Sequence, residues 1–237
     1  MNMEFFSISD AGPRPNNEDA AKAWKLDDGS IALAIADGLG GRGAGGAASK
    51  IALRYLSEHV HEFPESSERL VEVFIEIHNE IVAQQKTSHD QRFMATTLTA
   101  VFLNGKKLIG AHAGDTRAML ARGRGIKKLT SDHSEAQRLL DEGKIDKEQF
   151  LNYPRKNILD SALGAKDQPR VDALDFDLFE GDRVFVTSDG FHAKLPLRPM
   201  LDVSKKFSDP KLFVDEACNL VRKNEPDDNF SIAVAYV

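Results

Sequence analysis

Residues 31–41, Ile-Ala-Leu-Ala-Ile-Ala-Asp-Gly-Leu-Gly-Gly, limit what this chain can fold into more than any other stretch. Ile31 to Ala36 is an unbroken apolar run and predicts a short buried strand, which runs straight into Asp37 and a glycine-rich turn. A carboxylate at the mouth of a buried strand is costly unless something pairs with it. No Lys or Arg adjoins Asp37, because Arg42 stands five residues on across a flexible turn. The glycines let backbone amides and carbonyls come close to whatever occupies the site. Asp37-Gly38 is therefore read as half of a metal-binding pocket whose other half comes from distant parts of the chain.

A chain of 237 residues can bury a core as one large domain or two small ones. No composition shift, repeat or low-complexity tract marks a boundary, so one domain over residues 1–237 is expected. The net charge of −6 argues against nucleic-acid or anionic-membrane partners, which require a basic surface. The opening Met-Asn-Met-Glu-Phe-Phe has no basic region and no apolar run of signal-peptide length. No window approaches the roughly 18 apolar residues of a membrane-spanning helix. The single cysteine, Cys218, forms no internal disulfide and fits a reducing compartment; it lies in an amphipathic helix, where a buried structural thiol is expected. A cytoplasmic location follows.

Ten strands are predicted, at about 4–9, 20–26, 31–36, 97–103, 107–114, 116–121, 126–129, 171–179, 182–187 and 230–237. Asp28-Gly29 and Asn104-Gly105 are hairpin signals, and the strands after Lys107 are expected to continue as a meander. Helices are expected over about 44–60, after Ser66 or Ser67, and from Asp209-Pro210 onward. Asp132 with Glu135, and Asp146 with Gln149, have the spacing of capping boxes for two short helices. Hairpin-linked strands make antiparallel sheets, and the helices must cover their faces. The expected fold is α+β, two antiparallel sheets packed together with paired helices outside. The segment at about 131–170 is the candidate flap.

Four places share one design, an apolar strand meeting an aspartate flanked by glycine or asparagine. They are Ala36-Asp37-Gly38, Gly114-Asp115-Thr116, Ser188-Asp189-Gly190 and Asp227-Asp228-Asn229, and a fifth acidic pair is Glu18-Asp19. Any one alone is an ordinary turn residue. Carboxylates brought within ~4 Å of one another raise each other's pKa and cannot all ionise, so either they are scattered or hard cations hold them. Oxygen ligands with no Cys or His cluster point to Mg²⁺ or Mn²⁺ rather than zinc. The histidines near these motifs, His133 and His192, are expected to serve as hydrogen-bonding structural groups. Arg14, four residues before Glu18, has a fork suited to a phosphate oxygen pair. Metals plus one arginine are what in-line attack on a phosphate ester requires.

The sequence resembles the metal-dependent protein phosphatases (PPM), the type 2C Ser/Thr phosphatases, particularly their compact bacterial members. The resemblance rests on Arg14-Pro15-Asn16-Asn17-Glu18-Asp19, Asp37-Gly38-Leu39-Gly40-Gly41, Ala95-Thr96-Thr97-Leu98, Gly114-Asp115-Thr116-Arg117, Leu129-Thr130-Ser131-Asp132-His133-Ser134, Thr187-Ser188-Asp189-Gly190 and Asp228-Asn229. These stretches stand in the family's order from residue 14 to 229. The resemblance implies a four-layer α/β/β/α sandwich and hydrolysis of phosphoserine and phosphothreonine by a water or hydroxide bridging two Mn²⁺ or Mg²⁺ ions. It implies that Asp37 bridges two metals, with the Gly38 carbonyl on one of them. On the same resemblance Asp189 and Asp228 complete the first metal's shell, Glu18 and Asp19 serve the second metal directly or through water, and Asp115 with Asp189 holds a weaker third. Arg14 binds the substrate phosphate. The implied partners are phosphoproteins and a cognate bacterial Ser/Thr kinase, and a monomer is expected.

Three departures stand out. Leu39 occupies the place of a histidine that eukaryotic members use as a proposed general acid, so the leaving-group proton must come from elsewhere. Ala95 replaces a usual glycine, and the segment 191–226 is short. Gly38 to Gly43 also satisfies G-x-G-x-x-G, but Asp37 would oppose a pyrophosphate and no ribose-binding acid follows at the expected distance. A P-loop is excluded because no Gly-Lys-Ser/Thr follows. A catalytically dead binding module would be marked by loss of Asp37 or Asp189, and both are present.

Overall fold

The computed structural model describes residues 3–40, 44–87, 91–165 and 167–237. Gly41 and Arg42 lie outside the described residues. The elements in chain order are β1 (Glu4–Asp10), β2 (Ala20–Lys25), β3 (Ile31–Ala36), β4 (Gly38–Leu39), α1 (Ala44–His59), α2 (Ser67–Gln85), β5 (Ala95–Thr96) and β6 (Leu98–Leu103). Then come β7 (Lys107–Ala113), β8 (Arg117–Arg122), β9 (Gly125–Lys128), α3 (Glu135–Asp141), α4 (Lys147–Leu151), β10 (Asp172–Asp177) and β11 (Arg183–Thr187). The chain closes with α5 (Asp189–His192), α6 (Leu197–Ser204), α7 (Pro210–Lys223) and β12 (Phe230–Tyr236).

Two five-stranded antiparallel sheets form the centre, in the orders β1-β12-β11-β8-β9 and β10-β7-β6-β3-β2. The strand β3 shows why they stack. Ile31, Leu33 and Ile35 project into the layer between the sheets, among Val101, Val184, Val186 and Ala233. Ala32, Ala34 and Ala36 face outward to a second core with Ala48 and Ala52 of α1 and Phe74 and Ile77 of α2. Successive strand side chains point to opposite faces, so large residues fill the gap between sheets while alanines let a helix approach. A third core lies on the far face of the other sheet, where Phe213, Ala217 and Val221 of α7 meet Phe185, Phe230 and Val234. The expected sandwich of two sheets with helices outside is the observed architecture.

The meander, by contrast, breaks after β7. Strands β6 and β7 pair as a hairpin, but β8 leaves for the other sheet and pairs with β11. The corner between them is Gly114, with φ of +112° and a position where an added Cβ would lie 2.5 Å from Thr97 side-chain atoms. Only glycine takes that turn without strain, and Asp115 rides directly on it. The small sheet of β4 and β5 and the helices α5 and α6 were not expected from the sequence.

The capping expectations split. Asp146 and Gln149 form the reciprocal box at α4, and Asp209 caps α7 with Pro210 at its first turn. Asp132 caps nothing. Ser134 is the N-cap of α3, its side chain accepting from the Gln137 amide. Asp132 is drawn away by Arg117 of β8, which donates to both its oxygens. Helix α3 buries only Ala136, and α4 buries no residue. The ends of this segment are tied by isolated bridges, Ser134 to Leu159 and Thr96 to Leu163. Gly114→Ala is expected to cost about 1–3 kcal/mol of stability by forcing a side chain into positive φ; denaturant unfolding measures it, and a neutral result would remove the special status of this corner.

Candidate active site

The strand ends that meet at one edge of the sandwich carry the acidic residues. Asp37 follows β3, Asp115 sits at the β7–β8 corner, Asp189 follows β11, Asp228 precedes β12, and Asp19 precedes β2. Both sheets contribute, so neither alone could build the cluster.

These aspartates act on one another. Burial raises the carboxyl of Asp37 well above its usual range, and the charges of Asp19, Asp189 and Asp115 push it further. Its side chain shares a hydrogen bond with Asp189. Asp115 is pushed up to about 8 by burial and then by Asp189 and Asp132, against the pull of Arg117. Asp19 rises to about 6 by burial, with Asp189 and Asp228 adding to it. Asp189 is raised by burial and by Asp228. Asp37, Asp115 and Asp189 each keep an accessible edge although protein atoms crowd around them. Among the described residues no three acidic, imidazole or thiol side chains already converge as a closed cage. The carboxyl groups share a neighbourhood, and the hydrogen bond between Asp37 and Asp189 needs a proton on one of them.

The backbone around them is fixed from several directions. The Asp37 amide donates to Thr97 Oγ1, and its carbonyl accepts from the Thr97 amide and Thr96 Oγ1. Ser231 Oγ donates to Asp19 Oδ2 at 2.7 Å, with the Ser188 hydroxyl beside it. Gly38 lies where an added Cβ would be 2.3 Å from the backbone of Gly45 and 2.6 Å from the Glu18 carbonyl. Three chain segments therefore cross at Gly38.

Asn229 was quoted in the sequence only as a neighbour of Asp228, and its role is larger. Its side-chain amide donates to the carbonyls of Ala11 and Asn16, and its oxygen accepts from the Glu18 amide. The buried asparagine thus clips the 11–18 loop, which carries Arg14 and Glu18, to the start of β12. Arg14 itself lies at the rim. Its Nε donates to the Asp227 carbonyl at 2.8 Å and its Nη2 to Asp228 Oδ2 at 3.0 Å. Glu18 is held by its backbone, since its carbonyl also accepts from Ser49 Oγ.

The two histidines near the motifs are hydrogen-bonded. His133 bonds Asp172 through Nε2 and accepts from the Gly114 amide at Nδ1, and His192 Nδ1 meets Thr187 Oγ1. Cys218 is buried, and burial pushes its thiol up to about 12.

All-oxygen donors, crowded enough to hinder their own ionisation and set beside an arginine, suit hard divalent cations and a phosphoryl group. Residues 14–231 match the family described as Protein phosphatase 2C. The serine/threonine phosphatase stp of Listeria monocytogenes serotype 4b (strain F2365) is 33% identical over 198 residues, 81% of this chain and 79% of that protein. The structure of the S. agalactiae serine/threonine phosphatase superposes with a TM-score of 0.92 at 30% identity, over 99% of each chain. The catalytic domain of the serine/threonine protein phosphatase PstP, solved in complex with two manganese ions, gives a TM-score of 0.85 at 28% identity, over 99% of this chain and 97% of that one. The chain belongs to the protein phosphatase 2C family and is an enzyme of that class.

A raised carboxyl pKa favours the fold below the unfolded value near 3.8, and that stability is lost as pH climbs through the folded value of about 8. In chelator, Asp115→Asn is therefore expected to equal or fall below the parent in melting temperature at pH 4 and exceed it at pH 8. A constant difference across that range would show that Asp115 is not electrostatically strained.

Proposed function

We propose that this enzyme hydrolyses phosphoserine and phosphothreonine in proteins with Mn²⁺ or Mg²⁺ held by the aspartate edge. The observation that carries this is the gathering of Asp19, Asp37, Asp115, Asp189 and Asp228 from strand ends of both sheets into one electrostatically coupled group. The names of its relatives, and the two manganese ions in the PstP structure, support it.

In this reading Asp37 would serve two cations, with the Gly38 carbonyl on one of them; Asp189 and Asp228 would complete the first, and Glu18 and Asp19 would serve the second directly or through water. Asp115 and Asp189 would hold a third. When bound, the cations supply Lewis-acid neutralisation of the phosphoryl oxygens and a nucleophile at neutral pH. The remaining work belongs to the chain. Arg14 offers a planar fork at the rim and orients the phosphate for in-line displacement. Asn229 holds the loop that carries Arg14, and Thr97 fixes the backbone of Asp37. Leu39 can give no proton, so the leaving alkoxide takes its proton from water or another group.

The client is a phosphoprotein modified by a cognate Ser/Thr kinase, whose action the enzyme reverses. The enzyme works as a monomeric single domain, residues 131–170 forming its flap, in the cytoplasm. No described helix is long and apolar enough to cross a membrane.

Phosphoserine and phosphothreonine peptides are expected to be hydrolysed in Mn²⁺, not in excess chelator, with phosphotyrosine peptides turned over far more slowly. Release of phosphate that survives exhaustive chelation would refute the metal-dependent reading. Loss of charge-assisted hydrogen bonds worth about 1.5–3 kcal/mol predicts that Arg14→Ala raises KM about tenfold or more and largely spares kcat. An unchanged KM with only a lower melting temperature would make the arginine structural.

A further inference from the structure

A cavity of about 290 Å³ opens beside the aspartate edge, between the 134–157 segment and the β7–β8 and α5 corners. Asp115 and Asp189 form its inner end, so it continues directly from the site of chemistry. Its size, at the lower limit of the ~300–1,000 Å³ usual for small-molecule pockets, suits one side chain.

The walls are chemically one-sided. Phe150 and Leu151 line the lip from α4, and Leu151 is 73% exposed on a helix that buries nothing. Lys156 also lines the cavity, exposed and with no ion-pair partner among the described residues. Across the cavity Arg117 spends Nε and Nη2 on Asp132, and Lys128 reaches the same carboxylate at 3.2 Å. Two cations therefore share one anion there, and Lys156 adds a third positive charge. The remaining carboxylates, Asp115 and Asp189, belong to the proposed cation site and are neutralised with it.

We infer that this cavity is a substrate subsite for an acidic side chain, best a glutamate, adjacent to the phosphorylated residue. The inference rests on the phosphoprotein reading above. The apolar lip covers the methylene stem, and Lys156 meets the carboxylate. An exposed pair of this kind contributes modestly, so selectivity rather than raw rate is its signature.

The test uses the full chain in Mn²⁺ with phosphothreonine peptides of one sequence, carrying Glu, Gln or Lys on either side of the phosphorylated residue, and with free O-phospho-L-serine. On at least one side the Glu peptide is expected to exceed the Lys peptide about three- to tenfold in kcat/KM, mainly through KM. Lys156→Glu is expected to reverse that order and leave free phosphoserine unchanged. Lys156 is exposed, so this variant keeps the fold. Equal rates for the three peptides, an order that Lys156→Glu does not alter, or an equal fall on free phosphoserine would each overturn the subsite. Hydrolysis of free phosphoserine with no turnover of any peptide would instead overturn the phosphoprotein reading, and the subsite with it.

Discussion

Mutual repulsion among a handful of aspartates is the constraint around which this molecule is built. Each raises the cost of ionising the next, and burial raises it further. Left to themselves the side chains would separate. They stay together because the strand ends that carry them are anchored in three apolar layers, one between the sheets and one beneath each pair of helices. Burial of that surface, at roughly 25 cal/mol per Å², is large enough to carry a local electrostatic penalty.

Proximity alone would not give a usable arrangement, and local polar contacts refine it. Thr96 and Thr97 tie down the backbone at Asp37, and the Ser188 and Ser231 hydroxyls face Asp19. Asn229 uses both donors and its acceptor on one loop. Gly190 adds a close crossing, since a Cβ there would lie 2.0 Å from the Asn229 carbonyl. Neutral hydrogen-bonding side chains are suited to such work, because another charge would alter the field they are meant to hold.

Much of this was legible in the sequence where the signal was local. Asp37, Asp115, Asp189 and Asp228 stand out because each interrupts an apolar strand beside a glycine or asparagine, and the structure brings them to one edge. The box at Asp146 and Gln149 was readable for the same reason. The Asp132–Glu135 spacing misled because the competing partner, Arg117, lies on a strand fifteen residues earlier. Helix α6 was hidden by Pro196 and Pro199, which suggest a loop, although Pro196 is its N-cap and Pro199 falls within its first turn. The switch of β8 between sheets had no sequence signature, since a glycine–aspartate corner looks the same whether the chain folds back or crosses over.

The division between rigid and weakly packed parts follows the division between chemistry and recognition. Asp37, which must hold its place in the charge arrangement, is set at the end of β3, a strand whose six residues are all buried. The proposed recognition groups, Leu151 and Lys156, lie on or just after a helix with no buried residue. A segment so loosely attached can change its sequence, or shift its backbone, with little cost to the fold. The same adjustment at Asp37 or Asp189 would alter the repulsion on which the proposed cation site depends. On the proposed reading, variation in client choice is cheapest in the 134–157 segment, and the aspartate edge can stay as it is while that segment diverges.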